Sequence, residues 1–278
     1  VIVREIRVRR ALTRSGLPDI DYALNPYIGC SHGCIYCYAR LYTDKKEVKE
    51  RWGEVVLVKI NLIELLRREA SRIRGVVGVG TVTDPYQPIE SEYGLTRESL
   101  KVLLRRGVRV SIQTKSGLVT RDKDILVEHR GLVDVGFTIT TLDEEMARWL
   151  EPGAPPPSER VRALEELSSA GVRTWLFYGP VIPGINDGDE VVEELVGLAA
   201  STGSILYYDS LHVKPFMLAP EHPLREAALS TRGYGWRRFW ERLVEKCRKM
   251  GVKCREGFTG DAVPVKRTGL MKWVGSSG

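Results

Sequence analysis

The chain has 278 residues, 43% hydrophobic and 28% charged, enough for one full core of barrel size and too little for two large domains. Its formal net charge of +6 is mild for a nucleic-acid binder, and the lysines and arginines are spread along the chain with denser stretches over 4–14 and 236–253. No apolar run approaches the ~20 residues that cross a membrane, and VIVREIRVRRALTRSG alternates apolar with basic residues where a signal peptide is continuously apolar, so a cytoplasmic protein with no membrane partner is expected.

Residues 1–22 read as an N-terminal extension. From 23 to 214 the chain alternates strand and helix patterns: a strand with YIG at Tyr27 leading into a cysteine loop, a short extra strand over 55–60, and apolar runs at 76–82, 108–113, 133–138, 172–178 and 205–213. Helices are expected over 61–73, 95–105, 121–129, 143–150, 158–170 and 189–200. Thr96 and Ser158 stand where N-caps belong, and Gly107 and Gly171 follow helices where a left-handed residue is wanted. EPGAPPP, from Glu151, is a rigid bend that ends the helix before it. Strands apolar on both faces and joined by helices require a parallel sheet, and right-handed crossovers curl it, so the fold class is α/β, a partial (β/α)6 barrel. From 215 to 278 a small C-terminal extension carries Pro215, Pro220 and Pro223, a basic aromatic helix over 234–250, a VKCRE strand and a Gly-rich tail.

Cys30, Cys34 and Cys37 are spaced C-x3-C-x2-C. Three thiolates cannot fill four soft iron sites, so a 4Fe–4S cluster held here keeps one iron open to a small-molecule ligand. The competing reading is a zinc site with His32 as fourth ligand, but zinc sites more often pair two C-x2-C knuckles, and His32 reads as a solvated loop residue. Cys247 and Cys254 read as small buried hydrophobes, and five cysteines so placed form no secreted disulfide framework, which points to a reducing compartment. Gln at only 87 and 113, and Asn at only 25, 61 and 186, is a thermophile-like composition.

Beyond the cysteines, NPYIGCSHGCIYCYAR, TDPYQPIE, TKSGLVTRD, TITTLD, EPGAPPPSER and GPVIPGIND occur in order. Together they resemble the branch of the radical S-adenosylmethionine (SAM) superfamily that contains spore photoproduct lyase, over about residues 23–214. The resemblance implies a partial barrel, a 4Fe–4S cluster, SAM chelated to its open iron, and an electron donor such as ferredoxin or flavodoxin. Active sites of parallel barrels lie at the C-terminal ends of the strands, and these ends are polar here. SAM needs a cation for its carboxylate and small polar groups for its ammonium and ribose. Lys115 is assigned to the carboxylate, Thr83 and Asp84 to the ammonium, Thr138 or Thr140 to the ribose and Tyr36 to the adenine. Tyr38 matches a lyase tyrosine associated with hydrogen-atom relay and is the candidate catalytic residue.

Asp84, Tyr86, Gln87 and Glu90 either bind substrate or fix their loop. Arg160 either meets a carboxylate or phosphate or is a solvated first-turn residue. The chain departs from the lyase where the second barrel strand ends: the lyase has a hydrogen-donating cysteine, and this chain reads VGVGTVTDPYQ. The expectation is a radical SAM enzyme of unidentified substrate, with nucleic acid among the candidates. The alternatives are modification of a peptide, protein or metabolite, and a non-catalytic Fe–S or zinc protein.

Overall fold

The computed structural model describes residues 1–257. The chain opens with β1 (Ile2–Ile6), β2 (Leu12–Arg14), β3 (Tyr22–Leu24) and β4 (Tyr27–Ile28), then runs through α1 (Lys46–Glu50), β5 (Val55–Lys59), α2 (Leu62–Glu69), β6 (Val76–Val79), α3 (Glu90–Tyr93), α4 (Leu95–Leu104) and β7 (Arg109–Thr114). It continues with α5 (Lys123–Glu128), β8 (Val133–Thr138), α6 (Glu144–Leu150), α7 (Pro157–Ser169), β9 (Arg173–Val181), α8 (Asp189–Thr202), β10 (Ile205–Ser210), α9 (Arg225–Ser230), α10 (Trp236–Lys249) and β11 (Cys254–Glu256). Among the described residues the main sheet has eight strands in the order β11-β10-β9-β8-β7-β6-β3-β2. All neighbours are parallel except β2 and β3. The α/β partial barrel is therefore present, built on β3 and β6 to β10, and the VKCRE segment adds β11 in parallel to its edge. The Gly-rich tail lies outside the described residues.

Three expectations are corrected. The first barrel strand is β3, not the YIG segment: Pro26 follows Asn25 and brings no N–H to a ladder, and Tyr27–Ile28 instead pairs antiparallel with β5 in a second sheet ordered β1-β5-β4. Thr96 does not cap α4. Its hydroxyl donates to Pro85 O at 2.6 Å, while the helix's first N–H groups, Thr96 N and Arg97 N, donate to the Glu90 carboxylate at 2.9 and 3.2 Å. Ser158 lies inside α7, which Pro157 starts, and its hydroxyl donates to Glu144 at 2.6 Å. Gly107 and Gly171 do adopt positive φ, +70° and +76°, behind their helices.

Register decides which strand residues face which way. Val110, Ile112, Val135, Phe137, Leu176 and Leu206 face the helical layer, where Leu100, Leu103, Leu164, Leu167, Leu195 and Val196 are buried in the same core. The alternate residues face the concave side. Ser111 pairs with Asp134, Asp134 with Arg173, Gly136 with Trp175, Thr138 with Phe177 and Phe177 with Tyr207. This interior row is polar and aromatic, as expected of a chamber and not of a packed core.

Candidate active site

The cysteine loop leaves β4 at Gly29 and is held by side chains of the segment after β6 and by the bend after α6. Gly29 O accepts from the Thr83 hydroxyl at 2.6 Å and from Gln87 Nε2 at 3.2 Å, while Ser31 N donates to Gln87 Oε1 at 2.9 Å. From the other side the EPG bend closes on the loop through backbone bonds: Gly153 N donates to His32 O at 2.9 Å and Ile35 N to Leu150 O at 3.0 Å. A Cβ at Gly153 would stand 2.1 Å from Ser31 O, so only glycine permits this approach.

Cys30, Cys34 and Cys37 are free thiols, the first two buried and the third half-buried. Burial pushes Cys34 up to about 11 and Cys37 up to about 12, against the charge of Lys115. Leu150, Ile182, Leu211, Met217 and Leu224 pack around Cys34 and Tyr36 and make an apolar shell. Ser31 Oγ and both ring nitrogens of His32 are buried without a well-directed hydrogen bond. Three unpaired soft donors on one loop, in an apolar shell with unsatisfied polar atoms beside them, fit an iron–sulfur cluster. His32 is not solvated, as the sequence reading had it, but 1% exposed, with Nδ1 at 3.3 Å from Asp84 Oδ2. Burial opposes its charged form, and the negative charges of Cys30 and Asp84 prevail to raise it to about 10.

Asp84 joins the loop to β7. Its Oδ1 accepts from Thr114 Oγ1 at 2.7 Å and Tyr86 N at 2.9 Å, and its Oδ2 from Lys115 N at 2.7 Å. Burial works to raise its carboxyl, but His32 and these donors hold it at about 2. The rest of TDPYQPIE is also engaged within the chain. Tyr86 donates to Asp122 at 3.0 Å, and Glu90 accepts from Tyr27 at 2.5 Å and Arg121 at 2.7 Å. Of the two readings of this segment, the observed bonds are those of a loop brace.

Lys115, at the end of β7, has its Nζ 5.6 Å from the centre of the Tyr36 ring and no ion pair among the described residues. Burial opposes its charge, yet Cys34, Glu151 and Cys37 keep it above the ordinary lysine range. Tyr36 donates its hydroxyl to Glu151, and Thr140 Oγ1 lies 3.5 Å from the same oxygen. Arg160 is buried, neither a solvated first-turn residue nor open to an external anion: its Nη1 meets Glu151 Oε2 at 2.5 Å and Thr138 O at 3.1 Å, and its Nη2 meets Pro155 O at 2.7 Å. Burial works to raise the Glu151 carboxyl, and the charges of Arg160 and Lys115 hold it below the carboxylate range. Thr138 Oγ1 accepts from Gln113 at 3.1 Å. Tyr38 is 40% exposed, donates to Thr81 O at 2.9 Å and lines the concave cavity.

The structure thus gathers Cys34, Tyr36, Lys115, Thr138 and Thr140 around one corner, whereas the Thr83 hydroxyl and the Asp84 carboxylate are engaged in holding the loop. Sequence reasoning assigned no role to Glu151 or Gly153, although both lie in a quoted motif. Asp134 was missed outright, and its signal was a carboxylate inside the apolar run VDVGFT. Cys247 and Cys254 are not separate buried thiols but a disulfide, with Cα atoms 6.1 Å apart, tying α10 to β11.

Residues 24–196 match the sequence model of the Radical SAM superfamily. The chain is 33% identical over 210 residues to an uncharacterized protein of Methanocaldococcus jannaschii, across 76% of this chain and 78% of that one. It is 34% identical over 216 residues to an uncharacterized protein of Mycobacterium tuberculosis, across 73% of this chain but only 63% of the relative. Among solved structures, spore photoproduct lyase complexed with dinucleoside spore photoproduct superposes with a TM-score of 0.68 at 14% identity, covering 91% of this chain and 81% of the lyase, a likeness of fold.

Proposed function

This chain belongs to the radical SAM superfamily, and we infer that it is an enzyme whose Cys30, Cys34 and Cys37 hold a 4Fe–4S cluster with one iron left for S-adenosylmethionine. One observation carries the reading: three free thiols on a braced loop stand beside the ammonium of Lys115, which has no ion-pair partner among the described residues. When bound, cluster and SAM supply reductive C–S cleavage and a primary carbon radical able to take hydrogen from an unactivated carbon.

The residues divide the remaining work. Lys115 pairs with the SAM carboxylate, a charge-assisted contact that fixes the methionine end. Tyr36, held by Glu151, faces the adenine, and Thr138 and Thr140 at the end of β8 serve the ribose. Thr83 and Asp84 contribute indirectly, by holding Gly29 and the His32 turn in position. The apolar shell of Ile182, Leu211, Met217 and Leu224 keeps water from the cluster corner. Tyr38, in the cavity lining, is the candidate for relaying a hydrogen atom. Radical SAM enzymes need an electron donor, and a ferredoxin or flavodoxin meets that need.

For the substrate, the concave cavity favours a small group over an open polymer surface: its lining includes Tyr38, Gln113, Asp134, Trp175, Phe177 and Tyr207. A nucleic acid would have to present one unstacked unit to it. Anaerobic reconstitution followed by iron, sulfide and 5′-deoxyadenosine assays tests the reading. Iron and sulfide at cluster stoichiometry and reductant-dependent 5′-deoxyadenosine are expected, and Lys115→Ala should raise the SAM Kd at least tenfold with the cluster retained. Stoichiometric zinc without iron, or an unchanged Kd, would overturn it.

A further inference from the structure

Asp134 is a carboxylate in the second position of β8, on the concave face, and it is only 7% exposed. Its Oδ1 accepts from Ser111 Oγ at 2.6 Å and from Trp175 Nε1 at 2.8 Å. Its Oδ2 accepts nothing among the described residues, is not sealed from the cavity, and belongs to a residue of the cavity lining. Arg173 lies beside it on β9 without closing to an ion pair. The arrangement is built. The Trp175 indole lies on Gly136, where a Cβ would come within 2.1 Å of the ring, and Tyr207 meets Trp175 edge to face at 5.6 Å.

A carboxylate this buried carries a desolvation cost that two neutral donors on one oxygen and the charge of the neighbouring Arg173 only partly offset. The aromatic residues Trp175 and Tyr207, which line the same cavity, favour a cation through their ring quadrupoles, beside the charge of the carboxylate. Four strand residues, about 13 Å, separate Asp134 from Thr138 at the strand end, so a ligand anchored at Asp134 extends upward to the cluster corner.

We propose that Asp134 anchors the substrate, and that the substrate offers it a cationic nitrogen group, an ammonium, amidinium or guanidinium, on a flat apolar body lying against Trp175 and Tyr207. The inference rests on the barrel interior being the reaction chamber. Its probe is benzamidine, with benzamide as the uncharged isostere, titrated by calorimetry into reconstituted wild-type protein and into Asp134→Asn, whose amide oxygen still accepts from Ser111 and Trp175. Wild type should bind benzamidine at least tenfold more tightly than benzamide, and Asp134→Asn should abolish that preference while binding benzamide as before. In wild type the Trp175 indole N–H resonance, assigned by Trp175→Phe, should shift with benzamidine and locate the site even if the Asp134 variant does not fold. Equal affinities, no benzamidine binding, a preference that survives in Asp134→Asn, or an unmoved Trp175 signal would each overturn the proposal. The 5′-deoxyadenosine assay on wild type is read separately, so a failure of the radical SAM reading is distinguishable from a failure of the anchor.

Discussion

Glu151 and Arg160 open and close the proline-rich bend EPGAPPPSER and meet each other as a buried ion pair at 2.5 Å. The pair does more than close the bend, because Glu151 also receives the Tyr36 hydroxyl from the cysteine loop and Arg160 reaches the carbonyl of Thr138. Loop, bend and strand end are thus coupled through two side chains. Arg160→Met should cost about 3–5 kcal/mol by leaving Glu151 charged and unpaired, and adding Glu151→Gln should recover most of it. Denaturant unfolding of the single and double variants measures this, and a single-variant cost below about 1 kcal/mol would remove the coupling argument.

Gly153→Ala tests the backbone approach of bend to loop. The obstructing atom is the carbonyl oxygen of Ser31, which cannot swing aside as a side-chain end would, so the cysteine loop must shift. Iron retained after reconstitution should fall severalfold, with a lowered Tm. Full iron content at an unchanged Tm would show that the contact is dispensable.

Lys59 supplies a pH signature. Its Nζ donates to Asn25 O at 2.7 Å, and burial lowers its pKa from 10.5 to about 8. Between those values the unfolded chain keeps a proton that the folded chain has released, so this residue makes stability rise with pH across roughly 8 to 10.5. Below about 8 its full penalty is present. Lys59→Met should therefore be more stable than wild type at pH 7, with the advantage shrinking by pH 10 in paired melts. A gap independent of pH would contradict the assignment.

The Cys247–Cys254 disulfide closes a short loop, and loop-closure entropy values such a bridge at about 2 kcal/mol. Cys247→Ser or a reductant should lower stability by that amount without reducing cluster content, since the bridge lies between α10 and β11 and outside the loop that bears Cys30. Stability indifferent to reductant would refute it.

Spore photoproduct should not be returned to thymines. The residues closing β6 are Gly80, Thr81, Val82 and Thr83, the Thr83 hydroxyl is bound to Gly29, and the two cysteines outside the loop are joined to each other. No thiol stands where the lyase donates hydrogen. A dinucleotide carrying the lesion, given with SAM and reductant, should leave SAM cleavage uncoupled from repair, and efficient repair would disprove the point.

How far the sequence reached depends on the range of the interaction. The strand–helix alternation and the parallel sheet follow from apolar periodicity, a local property, and C-x3-C-x2-C specifies its donor set because three cysteines within eight residues stay together whatever the rest of the chain does. TDPYQPIE was legible as a motif, but whether Asp84 and Gln87 face a ligand or the chain itself depends on where Gly29 and Ser31 arrive, more than fifty residues away. The same holds for Arg160, whose charge implied an anion while only the folded bend supplied Glu151, and for Cys247 and Cys254, whose pairing requires α10 to lie beside β11. Asp134 is the clearest case. Alone it is a carboxylate interrupting an apolar run, and only the register that sets it between Ser111 and the indole of Trp175 makes it a partnered carboxylate on the concave face of the sheet, because a charge in an interior is stable only with partners from other strands.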